Sequence, residues 1–518
     1  MEFLPHEGRT STLASPPSGN APRTPRAAPG GPVPHAPLPA AVTAPHRDQA
    51  ASLPREMPFV TADPASHEAL REAARAVTEA VINAEARPGP RDPRTPKELA
   101  GAATSLDPLP EDGAPLQAVL EDVAPILAGG IRLGDPNTVA HLHPAPLIPA
   151  AVAELAIGVT NQSMDAFDAS PAATFVEDAL VTRLAQLHGL GDQGSGVMTM
   201  GGTASNLLGL LLARDRAGTD VRRTGVPPNE WRIVASEAAH DSVRRSAALL
   251  GLGTDAVLGV PTDETGAMDP DHIPTDADVI AIVGTAGTTD LGAIDPLERL
   301  ADIAKERGAW FHVDAAVGSG LTLSDRHRHR LKGIERADSV TADLHKLWWM
   351  PFGASALLVP DVAALKAVHH ASVYLNRPED EAEGQLNLVG RSLDTSRRFD
   401  ALKVLIALRT VGRRRLGEMV DTVRDLTQAA ARAIEERPQL SLVAPPSTIM
   451  VAFRHEGGDD VNIRIHRELF ASGKAVIGRT RVHGDVALKL TLMNPATTIE
   501  DVEAILDLVV SAGRSPAA

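Results

Sequence analysis

The chain has 518 residues, with 50 Lys and Arg against 66 Asp and Glu, for a formal net charge of −16. That balance argues against general nucleic-acid binding, which needs a basic surface to neutralise phosphates. Cysteine is absent, which excludes disulfides, thiolate catalysis and cysteine-ligated metals.

Thirteen of the 41 prolines fall in the first 60 residues, among Ala, Ser and Gly. Such a segment buries too little apolar area to offset its ordering entropy, so residues 1–60 are expected to be a disordered tail. The tail lacks the apolar core of a signal peptide, and no run approaches the ~18 apolar residues of a membrane span. A cytoplasmic protein with no membrane partner is the expectation. From "ADPASHEALREAARAVTEAVINAEA" the pattern turns helical, with Pro and Ser as start signals. A polar, Pro-rich stretch over 87–114 then separates this helix from the main body.

Between about 140 and 360, short β-branched runs alternate with helical patterns. "GVMTM" precedes a helix near Thr203, and "WRIVAS" precedes one holding "HDSVRRSAALLGLG". "DVIAIVGT", "AWFHVD", "DSVTAD" and "ASALLVP" follow, with "PLERLADIAKERG" as a helix between the first two. Continuous apolar strands separated by helices predict a mostly parallel sheet covered on both faces. After about 395 a long amphipathic helix is expected over "SRRFDALKVLIALRTVGRRRLGEMVDTVRDL". The strands "TIMVAFR" and "VALKLTLM" and a last helix, "TIEDVEAILDLVVSAG", complete a smaller α+β unit. The expected division is an N-terminal helical segment over 61–130, a large domain over 131–395 and a small domain over 396–518.

Four features carry chemistry. "GGTASN" sets Gly201, Gly202, Thr203, Ala204, Ser205 and Asn206 where a strand turns into a helix. Small residues and a helix start favour an anion such as a phosphate there, although the stretch also reads as a plain helix cap. The spacing is that of neither a dinucleotide nor an NTP loop. Asp314 ends the strand in "FHVDAAVGSG", where a lone carboxylate needs a cation. A protonated pyridine nitrogen would serve, and capping of the next turn is the competing reading. His240 follows a strand end, placed to stack on a ring or simply to sit half-buried at a helix start. Lys346, in "TADLHKLWW", lies among Leu344, Leu347, Trp348 and Trp349. A sheltered amine there can act as a nucleophile, and a snorkelling surface lysine is the alternative.

In chain order these are a phosphate cradle, a stacking His, an Asp for a ring nitrogen and a Lys for an imine, each at a strand end. Ligands of open α/β sheets bind outside the carboxyl ends of strands. Together the four features describe a pyridoxal 5′-phosphate enzyme.

The chain resembles the group II pyridoxal-phosphate amino-acid decarboxylases from about residue 115 onwards. The resemblance rests on "GGTASN", "SEAAHDSV", "GTAGTTDLGAID", "FHVDAAVGSG", "ADSVTADLHKLW" and "SLDTSRRFDALKV". It implies fold type I, similar to aspartate aminotransferase, with a seven-stranded, mostly parallel sheet. It implies that Thr203, Ala204, Ser205, His240, Thr288, Asp314, Ala316, His345 and Lys346 bind the cofactor, with Thr285 also at the ring. It further implies Lys346, Tyr374 and His240 as the catalytic residues. Tyr374, the only tyrosine, matches a mobile-loop residue that protonates Cα after CO2 leaves. Family members are homodimers with shared sites, so a homodimer is implied.

Residues 140–177, "ADLHK" and "NLVGRSLDTSRRFDALK" look most like the bacterial diaminobutyrate and lysine decarboxylase branch. A diamino acid such as L-2,4-diaminobutyrate is therefore the expected substrate, with Asp165 and Asp168 available to attract a distal ammonium. Met350, Pro351, Phe352 and Gly353 depart from that branch, as does Phe167, and leave an aromatic, acidic or small apolar amino acid open. An aldehyde lyase, an oxidative deaminase and a silent binding paralogue are the other readings. The histidines of "HLH" and "DRHRHR" lack further ligands at metal spacing, so no metal is expected.

Overall fold

Residues 59–218, 220–226, 231–369 and 378–514 are described by the computed structural model. The tail expected over 1–60, apart from its last two residues, lies outside them, and so does Tyr374. Helix α1 (Pro64–Glu85) starts where the sequence marks it. Asp63 caps it by accepting from the Ala65 N–H, and Pro64 fills the first turn, where its missing N–H costs nothing. The expected polar spacer contains a second helix, α2 (Pro96–Thr104). Thr95 and Glu98 cap it reciprocally, a local signal that the proline content of the stretch obscures. Helix α3 (Leu116–Ala128) follows.

The β-branched runs assemble into one seven-stranded sheet. Its members are β2 (Ser195–Thr199), β3 (Arg232–Ser236), β4 (Val257–Val260), β5 (Val279–Thr285), β6 (Trp310–Asp314), β7 (Ser339–Asp343) and β8 (Ser355–Val359), in the order β2-β8-β7-β6-β5-β3-β4. Strands β4, β3, β5, β6 and β7 pair in parallel, and β8 runs antiparallel to both its neighbours. Six of these strands are visible in the sequence. The seventh, β4, is a four-residue edge strand interrupted by Gly259 and carries too few apolar positions to stand out.

Helices α4 (Ile148–Thr160), α5 (Pro171–Leu187), α6 (Gly202–Ala217), α7 (Val221–Thr224), α8 (Ser242–Leu249) and α9 (Leu297–Arg307) accompany the sheet. Every residue of β5, β6 and β7 is buried, as expected of strands covered on both faces. With β2 running the same way as the five parallel strands, six strand ends fall on one edge.

Past the short helix α10 (Pro378–Ala382), the expected long helix is two helices, α11 (Ala401–Val411) and α12 (Arg413–Glu435). Gly412, at φ +81°, separates them. A left-handed residue cannot continue a right-handed helix, and glycine takes it without a Cβ penalty. Helix α11 packs on α4 and α5. The second sheet has the order β1-β11-β12-β10-β9, built from β1 (Thr138–Val139), β9 (Leu440–Leu442), β10 (Met450–His455), β11 (Val476–Val482) and β12 (Asp485–Thr491). Helices α13 (Gly458–Ser472) and α14 (Ile499–Arg514) complete this layer. β1 pairs in parallel with β11 across more than three hundred residues, so a stretch numbered with the large domain supplies a strand to the C-terminal sheet.

Candidate active site

The strand ends surround a cleft of about 310 Å³. Thr203, His240, Asp314, Ala316, His345 and Lys346 line it, together with Thr285. Asp314 and Lys346, distant in sequence terms from His240 and Thr203, therefore share one space. Thr285 and Asp314 are register partners on β5 and β6. The Asp314 carboxylate is fixed on both oxygens: Oδ1 accepts from the Ala316 N–H at 3.1 Å and Oδ2 from Asn206 Nδ2 at 2.8 Å.

Lys346 follows β7 in a tight turn whose other members are buried: Leu344, Leu347, Trp348 and Trp349 are each 2% exposed or less. Trp349 adopts φ +57°, a left-handed conformation that costs a non-glycine residue about 1–3 kcal/mol. The turn is held by Leu147 N–H donating to Trp349 O at 2.8 Å and Trp349 Nε1 donating to Met493 O at 2.7 Å. The Lys346 ammonium lies 2.9 Å from Asp343 Oδ2. The Ser355 hydroxyl donates to Asp343 Oδ1 at 2.5 Å. Beside it, His345 Nδ1 donates to Ala354 O at 3.0 Å, and burial holds its imidazole below the ordinary histidine range. Phe352 closes the wall, its ring centroid 4.7 Å from that of His345 and 4.5 Å from that of His143.

Three residues expected to contact the cofactor are not on the cleft wall. Ala204 and Ser205 do not line the cleft; Ser205 is buried and its hydroxyl bonds the Thr199 hydroxyl at 2.7 Å. Successive residues of a helix point about 100° apart, so Gly202, Thr203 and Asn206 face the cleft while Ala204 and Ser205 turn away from it. Thr288 is buried and its Oγ1 accepts from the Ala293 N–H at 3.0 Å, closing its own turn, while its neighbour Thr289 lines the cleft. Asp165 and Asp168, expected to attract a distal ammonium, are not on the cleft wall either.

Sequence reasoning gave Asn206 no role beyond its place in "GGTASN", and none to Asp343 or Thr289. An Asp three residues before a Lys was a visible signal for the pair. The carbonyl of Thr289 is held from β12 by Lys489 Nζ at 2.7 Å, a contact that no local pattern predicts. The buried Thr285 hydroxyl has no hydrogen-bond partner among the described residues. A ring-sized ligand with polar edges satisfies it, and the exposed start of α6 suits an anionic tail. Glycine at 202 leaves room for the Asp343 carboxylate, since a Cβ there would come 3.0 Å from Oδ2.

A doubly covered sheet whose strand ends bring a sheltered lysine, a clamped aspartate and a helix start to one cleft defines a fold-type-I pyridoxal phosphate enzyme. Residues 102–456 match the pyridoxal-dependent decarboxylase conserved domain. The chain is 41% identical over 432 residues to an L-2,4-diaminobutyrate decarboxylase of Rhizobium meliloti (strain 1021), covering 80% of this chain and 86% of that protein. It is 37% identical over 444 residues to an L-2,4-diaminobutyrate decarboxylase of Acinetobacter baumannii, covering 80% and 87%. Among solved structures it matches the glutamate decarboxylase domain of the diaminobutyrate-pyruvate transaminase and L-2,4-diaminobutyrate decarboxylase from Vibrio parahaemolyticus. That match has a TM-score of 0.79 at 36% identity and covers 88% of this chain and 97% of that one. The chain belongs to the pyridoxal-dependent decarboxylase family and is a pyridoxal-phosphate-dependent amino-acid decarboxylase.

Proposed function

We propose that the protein converts L-2,4-diaminobutyrate, or a closely related diamino acid, to the amine and CO2, working as a cytoplasmic homodimer. The observation that supports the site is the single cleft shared by Lys346 and Asp314. The observation that supports the substrate is the 41% identity to a diaminobutyrate decarboxylase.

In this reading Lys346 holds pyridoxal phosphate covalently. Asp314 would meet the ring nitrogen, His240 and Ala316 would hold the ring, and Thr203 would meet the phosphate at the α6 start. Bound pyridoxal phosphate supplies an electron-poor ring that draws in the bonding pair released with CO2. The chain supplies orientation and exclusion of water. Leu347, Trp348 and Trp349 keep solvent from the lysine stem, and the Thr285 hydroxyl is free to fix a polar edge. Tyr374, outside the described residues, remains the proposed donor of the proton to Cα.

The homodimer is supported by an unpartnered stripe on α4. Ile148, Val152 and Leu155 are 79%, 63% and 47% exposed and fall on one helical face. A second copy of the chain would cover such a stripe, and sedimentation of the purified protein tests this.

The deciding experiment incubates the purified protein and pyridoxal phosphate with a panel of L-amino acids and follows amines and CO2. The reading requires propane-1,3-diamine from L-2,4-diaminobutyrate with the highest kcat/KM of the panel. Preference for an aromatic, acidic or small apolar amino acid would reject the substrate, and aldehyde in place of amine would reject the reaction.

A further inference from the structure

Asn206 sits at the first turn of α6, 1% exposed, and each hydrogen-bonding position of its amide is used. Nδ2 donates to Asp314 Oδ2 and to Ser242 Oγ, both at 2.8 Å. Oδ1 is 3.0 Å from His312 Nε2 and accepts from the Thr341 hydroxyl at 2.7 Å. An amide has two donors and two lone pairs, so nothing is left over. Turning the amide over would set its carbonyl against the Asp314 carboxylate, two acceptors without a proton between them.

The direction of this network is fixed by Asp314, whose carboxylate can only accept and so turns Asn206 Oδ1 toward His312 Nε2, and the far end is compatible with it. Trp310 Nε1 donates to Ser339 Oγ at 2.8 Å, and an indole can only donate. The Ser339 proton is then free to go to His312 Nδ1, 2.8 Å away. That leaves the imidazole proton on Nε2, where it donates to Asn206 Oδ1. His312 is fully buried, and burial pushes its pKa down to about 4, so a single ring proton is the state the surroundings favour. On the other side of Asn206, Ser242 Oγ accepts from Nδ2 and lies 2.8 Å from His240 Nδ1, while the Ser242 N–H also points at that nitrogen at 3.2 Å. The Ser242 N–H contact requires Nδ1 of His240 to be bare, and the Ser242 hydroxyl can then donate to the same nitrogen.

We propose that Asn206 is the positioning residue that locks two cofactor-facing groups together, setting the Asp314 carboxylate and fixing His240 as the tautomer with its proton on Nε2. The polarity runs one way, from Trp310 through Ser339 and His312 to Asn206, and there it divides to Asp314 and, through Ser242, to His240. Because the hub is neutral and saturated, it adds no charge beside Asp314 and leaves no orphaned donor to compete for the cofactor. The inference deepens the function proposed above, since it takes Asp314 and His240 as the groups that meet pyridoxal phosphate.

Three measurements test it. Nitrogen NMR of 15N-histidine-labelled protein, with His240 identified by its loss in His240→Gln, reads the tautomer with or without cofactor or substrate. Pyridoxal phosphate affinity is read by absorbance titration, and kcat and KM are measured with the amino acid that the wild type turns over. The expected pattern is a bare Nδ1 on His240 in the wild type. Ser242→Ala should lower kcat about tenfold with cofactor affinity held, and Ser242→Thr should restore it, because only the link to His240 is cut. Asn206→Leu, checked for folding by circular dichroism, should lose about tenfold to a hundredfold in cofactor affinity as well, because the Asp314 link goes too. Asn206→Asp should lose at least as much if the leucine variant does not fold. A proton on His240 Nδ1, wild-type kcat in Ser242→Ala, or unchanged cofactor affinity in a folded Asn206 variant would each overturn the assignment. If the wild type turned over no amino acid, the proposed function would fail, while the tautomer and the affinities would still decide the role of Asn206.

Discussion

Lys346 Nζ and Asp343 Oδ2 stand 2.9 Å apart at the end of β7, the lysine side chain 20% exposed and the aspartate 2%. The carboxylate is held by the Ser355 hydroxyl and lies against Gly202 at the start of α6, where a helix favours negative charge. The amine proposed as the cofactor anchor is therefore held by a buried counter-ion.

Lys346→Ala should abolish the covalent link to pyridoxal phosphate and reduce turnover by several orders of magnitude. Borohydride reduction of the loaded protein followed by peptide mass spectrometry checks the link directly. A reduced adduct on any other lysine would refute the anchor.

Asp343→Ala removes the partner of both Lys346 and the Ser355 hydroxyl in a buried place. Leaving buried polar groups unsatisfied costs about 1–3 kcal/mol, which urea unfolding should show as a lower midpoint at unchanged slope. Stability equal to the wild type would mean that the pair contributes nothing.

Lys403, fully buried on α11, donates to Glu154 Oε1 at 2.8 Å and to the Phe352 carbonyl at 3.0 Å, and pairs with Asp400 at 2.9 Å. Lys403→Met removes the buried partner of Glu154 and Asp400, leaving both to Arg398 alone, and frees the Phe352 wall. The expected loss is about 1–3 kcal/mol, read by urea unfolding, with a higher KM because the wall beside His345 loosens.

His188 is 2% exposed and burial pushes its pKa from 6.5 down to about 4. A depressed folded-state value means that the contribution is complete above pH 6.5 and is lost as pH falls toward 4. Over that window it amounts to about 3 kcal/mol at 1.36 kcal/mol per pH unit. His188→Asn keeps a donor for the Leu184 carbonyl that Nδ1 bonds and removes the titration. Urea unfolding at pH 7 and pH 5 should show a smaller acid loss in the variant, and an equal loss would assign it to other groups.

Tyr374→Phe should slow the protonation of Cα or divert it to aldehyde by-products. Normal amine yield at normal rate would reject that role.

Much of this site is readable in the linear order of residues because its parts sit at strand ends. A β-branched run closing on Asp314, another ending three residues before Lys346, and a glycine pair opening a helix are each local patterns. The sheet's parallel direction then puts them on one edge. Thr288 and Thr289 show where that reasoning stops. Adjacent and chemically identical, they differ only in which hydroxyl the turn closes on itself, and that depends on Ala293 and on Lys489 from the other sheet. The break at Gly412 was hidden similarly, since an amphipathic period continues through a glycine whether or not its φ is positive.

By itself the sequence determined six strands of the large sheet and the order of the chemical groups, because these follow from spacing along the chain, and its motifs carried the resemblance to the family. Only the tertiary structure decided which of two threonines faces the cleft and how Asn206 joins Asp314 to His240. Those choices depend on bonds such as Lys489 to the Thr289 carbonyl and Asn206 to Asp314, which join segments more than a hundred residues apart, and a bond of that kind leaves no periodicity in the chain.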